Sequence, residues 1–343
     1  MQQTLSKKIL QSKSFLLLAI TAVVLLITYI VSPGAFNVGN AKQILSNISY
    51  VGIFAVGVAC LLISGGIDFS LSGQATFAMI MFAQILKSFP SLPWGVAVLA
   101  ALVYGVIAGS INAFFANGLK LMSFICTIGM SSVWTGLATW YTRGNIIPIR
   151  NASFSALSAT YIGNTPIPML FIFMALVVAG YSFMLRRTRF GRSILMAGGN
   201  PAAARLAGMN TGKIKSILFV NASVLAVVGG LIWASQQNVG SPAGLLTVMP
   251  EMTGLTASIL GGVSFMGGSG SLGGAFSGVL LINVLAYALQ VMGLPTWLIT
   301  FINGSLLVVA LTIDGYNMRR RFRHFGIKGG GGGGGMVMPG MSK

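Results

Sequence analysis

The chain has 343 residues, 55% of them hydrophobic and 7% charged, with 21 Lys and Arg against 3 Asp and Glu and a formal net charge of +18. A soluble domain carries about 25% charged residues, so this composition excludes a water-covered globular enzyme and a disordered chain. It leaves an integral membrane protein, one polytopic domain, in which a basic excess reports orientation and not nucleic acid.

A helix crossing the hydrocarbon core needs about 20 mostly apolar residues. Such stretches lie near 14–31, 48–64, 72–87, 94–116, 121–141, 167–185, 215–234, 252–266, 273–292 and 295–313. The expected fold is therefore all-α, a polytopic transmembrane bundle of about ten spans. Residues 1–13 form a cytoplasmic N-terminus, 14–315 the transmembrane domain, and 316–343 a basic and then glycine-rich flexible cytoplasmic tail that includes Gly329–Gly335. Lys7, Lys8 and Lys13 precede the first stretch and no small-residue cleavage site follows it, so it reads as a retained helix.

With the N-terminus in the cytoplasm, 17 of the 21 basic residues fall on the cytoplasmic side. Seven of these sit in one loop, 186–215, and only Lys42, Lys87, Arg143 and Arg150 remain outside. That asymmetry is the positive-inside pattern and makes both termini cytoplasmic. Gly105 and Gly109 form a small-xxx-small step for close helix packing. Cys60 and Cys126 lie in apolar runs and read as buried free thiols. Two cysteines and one histidine make a zinc site implausible, so no metal site is expected.

Two glycine-rich breaks interrupt the apolar pattern, Ser64–Gly73 after the second span and Leu260–Gly274 after the eighth. Paired breaks in the two halves of a transporter mark the neighbourhood of the path. Asp68 stands in the first. It reads as an intramembrane acid on a solute path, or as the N-cap of the next helix. Glu251 reads as a first-turn helix residue at the outer interface, and Asp314 as interfacial.

Within 186–215, Asn200 followed by Pro201 is a helix start, Ala202–Leu206 favours helix, and Gly208 stops it. A short capped helix in a cytoplasmic loop is a docking element for a partner, which a merely basic loop would not require.

These residues carry a family resemblance. Gly191-Arg192 with Ala197–Met209 resembles the coupling segment of ribose-type permeases of bacterial ATP-binding-cassette (ABC) importers. Ser64–Ser70 is similar to that family's signature after the second span, and Gly261–Gly268 to the one after the eighth. Asn112, Phe124-Ile125, Thr127 and Gly129 match further positions, and the resemblance covers roughly residues 45–313. The chain departs from the pattern at Met122-Ser123 (usually proline), Thr135 (arginine), Thr253 (an acid) and Phe69 (leucine).

The resemblance implies a type II-like importer permease in the bacterial cytoplasmic (inner) membrane, homo- or heterodimeric with a second copy or a paralogue. It implies an ATP-binding cassette ATPase partner that holds ATP and Mg, and a periplasmic or extracellular solute-binding protein. No catalytic residue and no cofactor are expected on this chain, which lacks a phosphate-loop motif. Gly199, Asn200, Pro201, Ala202, Ala203, Ala204, Arg205 and Leu206 would couple to the ATPase. Path candidates are Asp68, Phe69, Ser72, Asn112, Phe124, Thr127, Trp134, Asn221, Asn283 and Asn303, of which Asn112, Thr127, Trp134, Asn221, Asn283 and Asn303 can also serve in an interhelical hydrogen bond, and Asn221 in helix packing. The cargo implied is a monosaccharide or sugar-like solute. A secondary transporter or channel is the competing class, but near-absence of intramembrane charge opposes ion coupling.

Overall fold

The computed structural model describes residues 13–324, the last eight of them by backbone alone. Expectations about Lys7, Lys8 and the glycine-rich tail fall outside these residues. The long helices are α1 (Lys13–Val31), α2 (Val38–Ile63), α3 (Leu71–Ser88), α4 (Trp94–Ala113), α5 (Ser123–Thr142), α7 (Met169–Arg187), α10 (Thr211–Gln237), α13 (Leu272–Val291) and α14 (Thr296–His324). Shorter ones are α6 (Ala152–Ala159), α8 (Arg189–Gly199), α9 (Pro201–Leu206), α11 (Gly244–Val248) and α12 (Pro250–Leu260). A two-residue antiparallel ladder, β1 (Ile147–Pro148) with β2 (Val239–Gly240), ties the loop after α5 to the end of α10.

Side-chain caps set many of the helix starts. Asn37, Asn151, Asn200 and Asn210 each accept a backbone N–H three residues on, as do Thr188 and Ser271. Each cap satisfies one of the orphan donors of a first turn.

The core is α2 packed against α7, α10, α12 and α13, with α3 joined to it through α10. From Ile48 to Ile63 every residue of α2 is buried, so its sequence needs no polar face. Gly105 and Gly109 of α4 meet α10 as the small-residue step requires: a Cβ on Gly109 would stand 2.6 Å from the Val220 Cα. Helices α1, α7 and α14 instead turn most of their apolar surface outward.

Among the described residues, seven helices are long and apolar enough to cross a membrane: α1, α2, α4 with the π-helical turn Phe114–Gly118 that continues it, α7, α10, α13 and α14. Helices also form at the other three expected positions, with a physical reason for each shortfall. α3 buries Ser72, Gln74 and Thr76 inside the protein, and α5 is rich in Ser and Thr, which lowers their hydropathy. The stretch expected as a span at 252–266 is corrected. Its helix stops at Leu260, and eleven residues cover about 16 Å, half of the roughly 30 Å core. Met249, at φ 47°, breaks it from α11, and Gly262, at φ 90°, prevents its continuation.

Three further expectations are revised. α14 continues to His324, so 316–324 is helix and not flexible tail. The 186–215 loop holds α8 as well as α9, both between the long helices. Cys60 is buried, but Cys126 is only half-buried.

Candidate functional site

The two glycine-rich breaks, far apart in sequence, lie against each other. The Gly268 N–H donates to the Ile63 carbonyl at 2.7 Å, and Gly267, at φ 87°, lies beside the Gly65 backbone. The end of α8 wedges into the same place. A Cβ on Gly198 would overlap the Ile63 carbonyl oxygen, and one on Gly268 would overlap Gly199. Lys215 Nζ adds a bond to the Gly65 carbonyl at 3.4 Å. Three backbones thus touch with no side chain between them, which only glycine permits.

α9 leaves directly from this junction. Asn200 Oδ1 accepts the Ala203 N–H at 3.0 Å, with Pro201 in the first helical position. Ala204 is buried, whereas Ala202, Ala203 and Arg205 are exposed and Leu206 is 91% exposed. Gly208, at φ 78°, ends the element as expected. Leu206 and Arg205 thus project from a helix rooted in the backbone junction.

A few residues further along the first break, Asp68 is buried and does not cap α3. Its Oδ1 accepts the Ser70 N–H at 2.8 Å and the Ser70 hydroxyl at 2.6 Å. Its Oδ2 accepts Asn112 Nδ2 at 2.9 Å. The cap expectation is corrected because Ser70 precedes the helix; the bond closes an Asx turn within the break. Asn112 and Gln74 both donate to Ser70 Oγ, and Ser223 bridges Gln74 to the Gly105 carbonyl. The Phe69 N–H donates to Thr127 Oγ1 at 3.1 Å, and the Phe69 and Phe124 rings meet edge to face at 5.3 Å. Ser72 donates to Glu251, which stands in the first turn of α12 as expected but is buried beside the Asp68 knot, so its expected place at an interface is corrected.

The knot therefore links α3, α4, α5, α10 and α12. It brings together Asp68, Phe69, Ser72, Asn112, Phe124 and Thr127. The adjoining cavity, lined by Asp68, Phe69 and Glu251, measures about 10 Å³, room for one water and no solute.

The remaining candidates stand elsewhere. Trp134 packs on Tyr104 at 5.4 Å, its indole N–H without a partner among the described residues. Asn221 accepts the Tyr181 hydroxyl. Asn283 bonds back to Val279 of its own helix at 2.8 Å. Asn303, its Oδ1 without a partner among the described residues, lines a cleft of about 330 Å³ with Met249, Thr253 and Thr300. Ser70, Gln74 and Ser223 were not among the sequence candidates, although Gln74 inside an apolar stretch was a readable signal. Asp314, the third acid, accepts the Phe265 N–H at 3.0 Å and so ties the second break to α14. Among the described residues, no three His, Cys, Asp or Glu side chains cluster to hold a metal.

Residues 40–311 match the family model described as branched-chain amino acid transport system / permease component. The galactose/methyl galactoside import permease protein MglC of Haemophilus influenzae is 30% identical over 91% of this chain and 98% of its own length. The ribose import permease protein RbsC of the same organism is 28% identical over 90% and 94%. The autoinducer 2 import system permease protein LsrC of Salmonella paratyphi B is 28% identical over 86% and 85%. A match over most of the chain, on a bundle whose two glycine breaks meet at one junction, is decisive: the chain belongs to the branched-chain amino acid transport system / permease component family, as a multi-pass membrane permease.

Proposed function

We propose that the chain is the permease subunit of an ABC importer that moves a monosaccharide or sugar-like small molecule into the cytoplasm. ATP and Mg would be held by a partner ATPase, and a soluble binding protein would deliver the solute at the opposite face. The cargo class rests on relatives named for galactose, ribose and autoinducer 2. The full reading adds ten membrane-embedded helices, both termini cytoplasmic, the bacterial inner membrane, and a homo- or heterodimer with the path between subunits.

One observation carries the mechanism. Gly198 and Gly199, at the root of α9, touch the backbones of both breaks. The first break runs on within five residues to Asp68. A push on α9 therefore reaches the Asp68 knot with no compressible side chain in the line. The knot is closed to solutes, so passage requires it to re-pack or requires a route beside it, between subunits. Alternating access follows if ATP-driven closure of the partner moves α9 as a lever.

The test is uptake of radiolabelled galactose and ribose in cells. Ala203→Arg places a charged side chain on the exposed face of α9; Pro201→Gly loosens its start. Both should abolish uptake while the protein still inserts in the membrane. Normal uptake in either variant, or uptake that persists when the co-purifying ATPase is inactivated, refutes the coupling reading and returns the chain to the secondary-transporter class.

A further inference from the structure

α4 and α10 touch closely at Gly105 and Gly109, then separate where α4 passes into the π-helical turn Phe114–Gly118. Between the separated ends lies a crevice of about 450 Å³, lined by Ser110, Ala113, Phe114, Gly118, Ile217 and Val220. Its walls are apolar apart from two hydroxyls. It extends about 12 Å along α4, most of one leaflet's half of a roughly 30 Å core. Asn117 Nδ2 donates to Ser216 Oγ at 3.1 Å and holds the two helices at this spacing.

Two exposed lysines flank the lining residues in sequence at this end of the crevice. Lys120 follows Gly118 by two residues and is fixed in the left-handed region at φ 55°, where the Leu121 N–H returns to the Phe115 carbonyl. Lys213 precedes Ile217 by four residues and Val220 by seven, so it shares their face of α10. Among the described residues, no side-chain carboxylate is placed to neutralise them. Asp68 and Glu251 are buried in the knot, and Asp314 bonds the second break. The first turn of α10, whose dipole is positive at this end, carries no acid either.

We propose that this crevice binds one anionic phospholipid, its acyl chain between α4 and α10 and its phosphate between Lys120 and Lys213. The occupant is set by the pairing of an apolar slot with an unneutralised dibasic mouth. A zwitterionic lipid would fill the slot but gain little at the mouth, and a soluble anion would use the mouth alone. Because α10 begins at Thr211, five residues after α9 ends at Leu206, the lipid would brace the helix next to α9.

Native mass spectrometry of the purified full-length protein, titrated with phosphatidylglycerol and separately with phosphatidylethanolamine, tests this. Wild type should bind phosphatidylglycerol at one preferred site. A Lys120→Gln/Lys213→Gln double variant should bind it about thirtyfold more weakly, since each of the two basic side chains near a membrane surface contributes on the order of 1 kcal/mol and every 1.4 kcal/mol is about tenfold. Ser110→Phe fills the slot, leaves both lysines in place, and should weaken binding comparably. Equal affinity for the two lipids overturns the proposal. So does wild-type affinity in Ser110→Phe, which would reduce the effect to diffuse surface charge, or wild-type affinity in the lysine variant. None of these readings depends on transport, so they stand apart from the importer assignment.

Discussion

Asp68 organises more of the interior than any other acid. Three donors converge on its two oxygens: the Ser70 N–H, the Ser70 hydroxyl and Asn112 Nδ2. Asp68→Ala removes every acceptor and strands these buried donors, each at about 1–3 kcal/mol. Asp68→Asn keeps one oxygen for Ser70 and loses only the bond to Asn112. Thermal unfolding in detergent should therefore show a large drop for the alanine variant and less than half of it for asparagine. Equal drops would mean that the hydrogen bonds are not what Asp68 contributes. The asymmetry is sharpened by Asn112 Oδ1, buried and without a partner among the described residues. Asn112→Asp would place a second carboxylate group beside Asp68, and the same assay should show it worse than Asn112→Leu, which removes the orphan acceptor.

At the scale of elements, the glycines of the junction differ in what they tolerate. A Cβ at Gly198 overlaps backbone, with no side chain to yield, whereas one at Gly199 lies 3.5 Å from the Gly268 Cα, an ordinary contact. Gly198→Ala should thus cost on the order of 1–3 kcal/mol by overpacking and displace α8 from the first break, with solute uptake lost. Gly199→Ala should transport nearly as wild type, and membrane abundance by immunoblot separates misfolding from uncoupling. If both variants transport normally, backbone contact at the junction does not carry the signal. Much of this geography was legible in the sequence. Asn200-Pro201 and Gly208 bound α9 because capping and left-handed stops are local chemistry. The paired breaks were visible as glycine, and Gly105-Gly109 as spacing. Their meeting was not, because a backbone contact between residues some two hundred positions apart leaves no local trace. α8 was hidden by Gly198 and Gly199 at its end. Asp68 after two glycines looks the same whether it caps a helix or closes a turn, and only the position of Asn112 on α4 distinguishes them. Ser223 was unremarkable until α10 placed it against Gln74.

The whole molecule is organised by α2 and α10, which run antiparallel between two distant ends. α2 ends at the junction and α10 begins beside it, with Lys215 bonded to Gly65. Their other ends, Gln43, Ser46, Asn47 and Gln236–Asn238, line an open polar groove of about 640 Å³ with α6. α10 has 27 residues, a length of about 40 Å, which exceeds a roughly 30 Å hydrocarbon core. Arg205 and the groove must then lie on opposite faces of the membrane, whatever the number of complete spans. The proposed orientation, which rests on the excess of basic residues around α8 and α9, puts that end in the cytoplasm. In a background with Cys60 and Cys126 replaced, Gln237→Cys should react with a membrane-impermeant maleimide added to intact cells. Arg205→Cys should react only after permeabilisation. Reversed labelling would place α9 outside, out of reach of ATP, and would end the importer assignment. Labelling of both from one side would mean that α10 does not cross at all, and that the core built around it is not a transmembrane one.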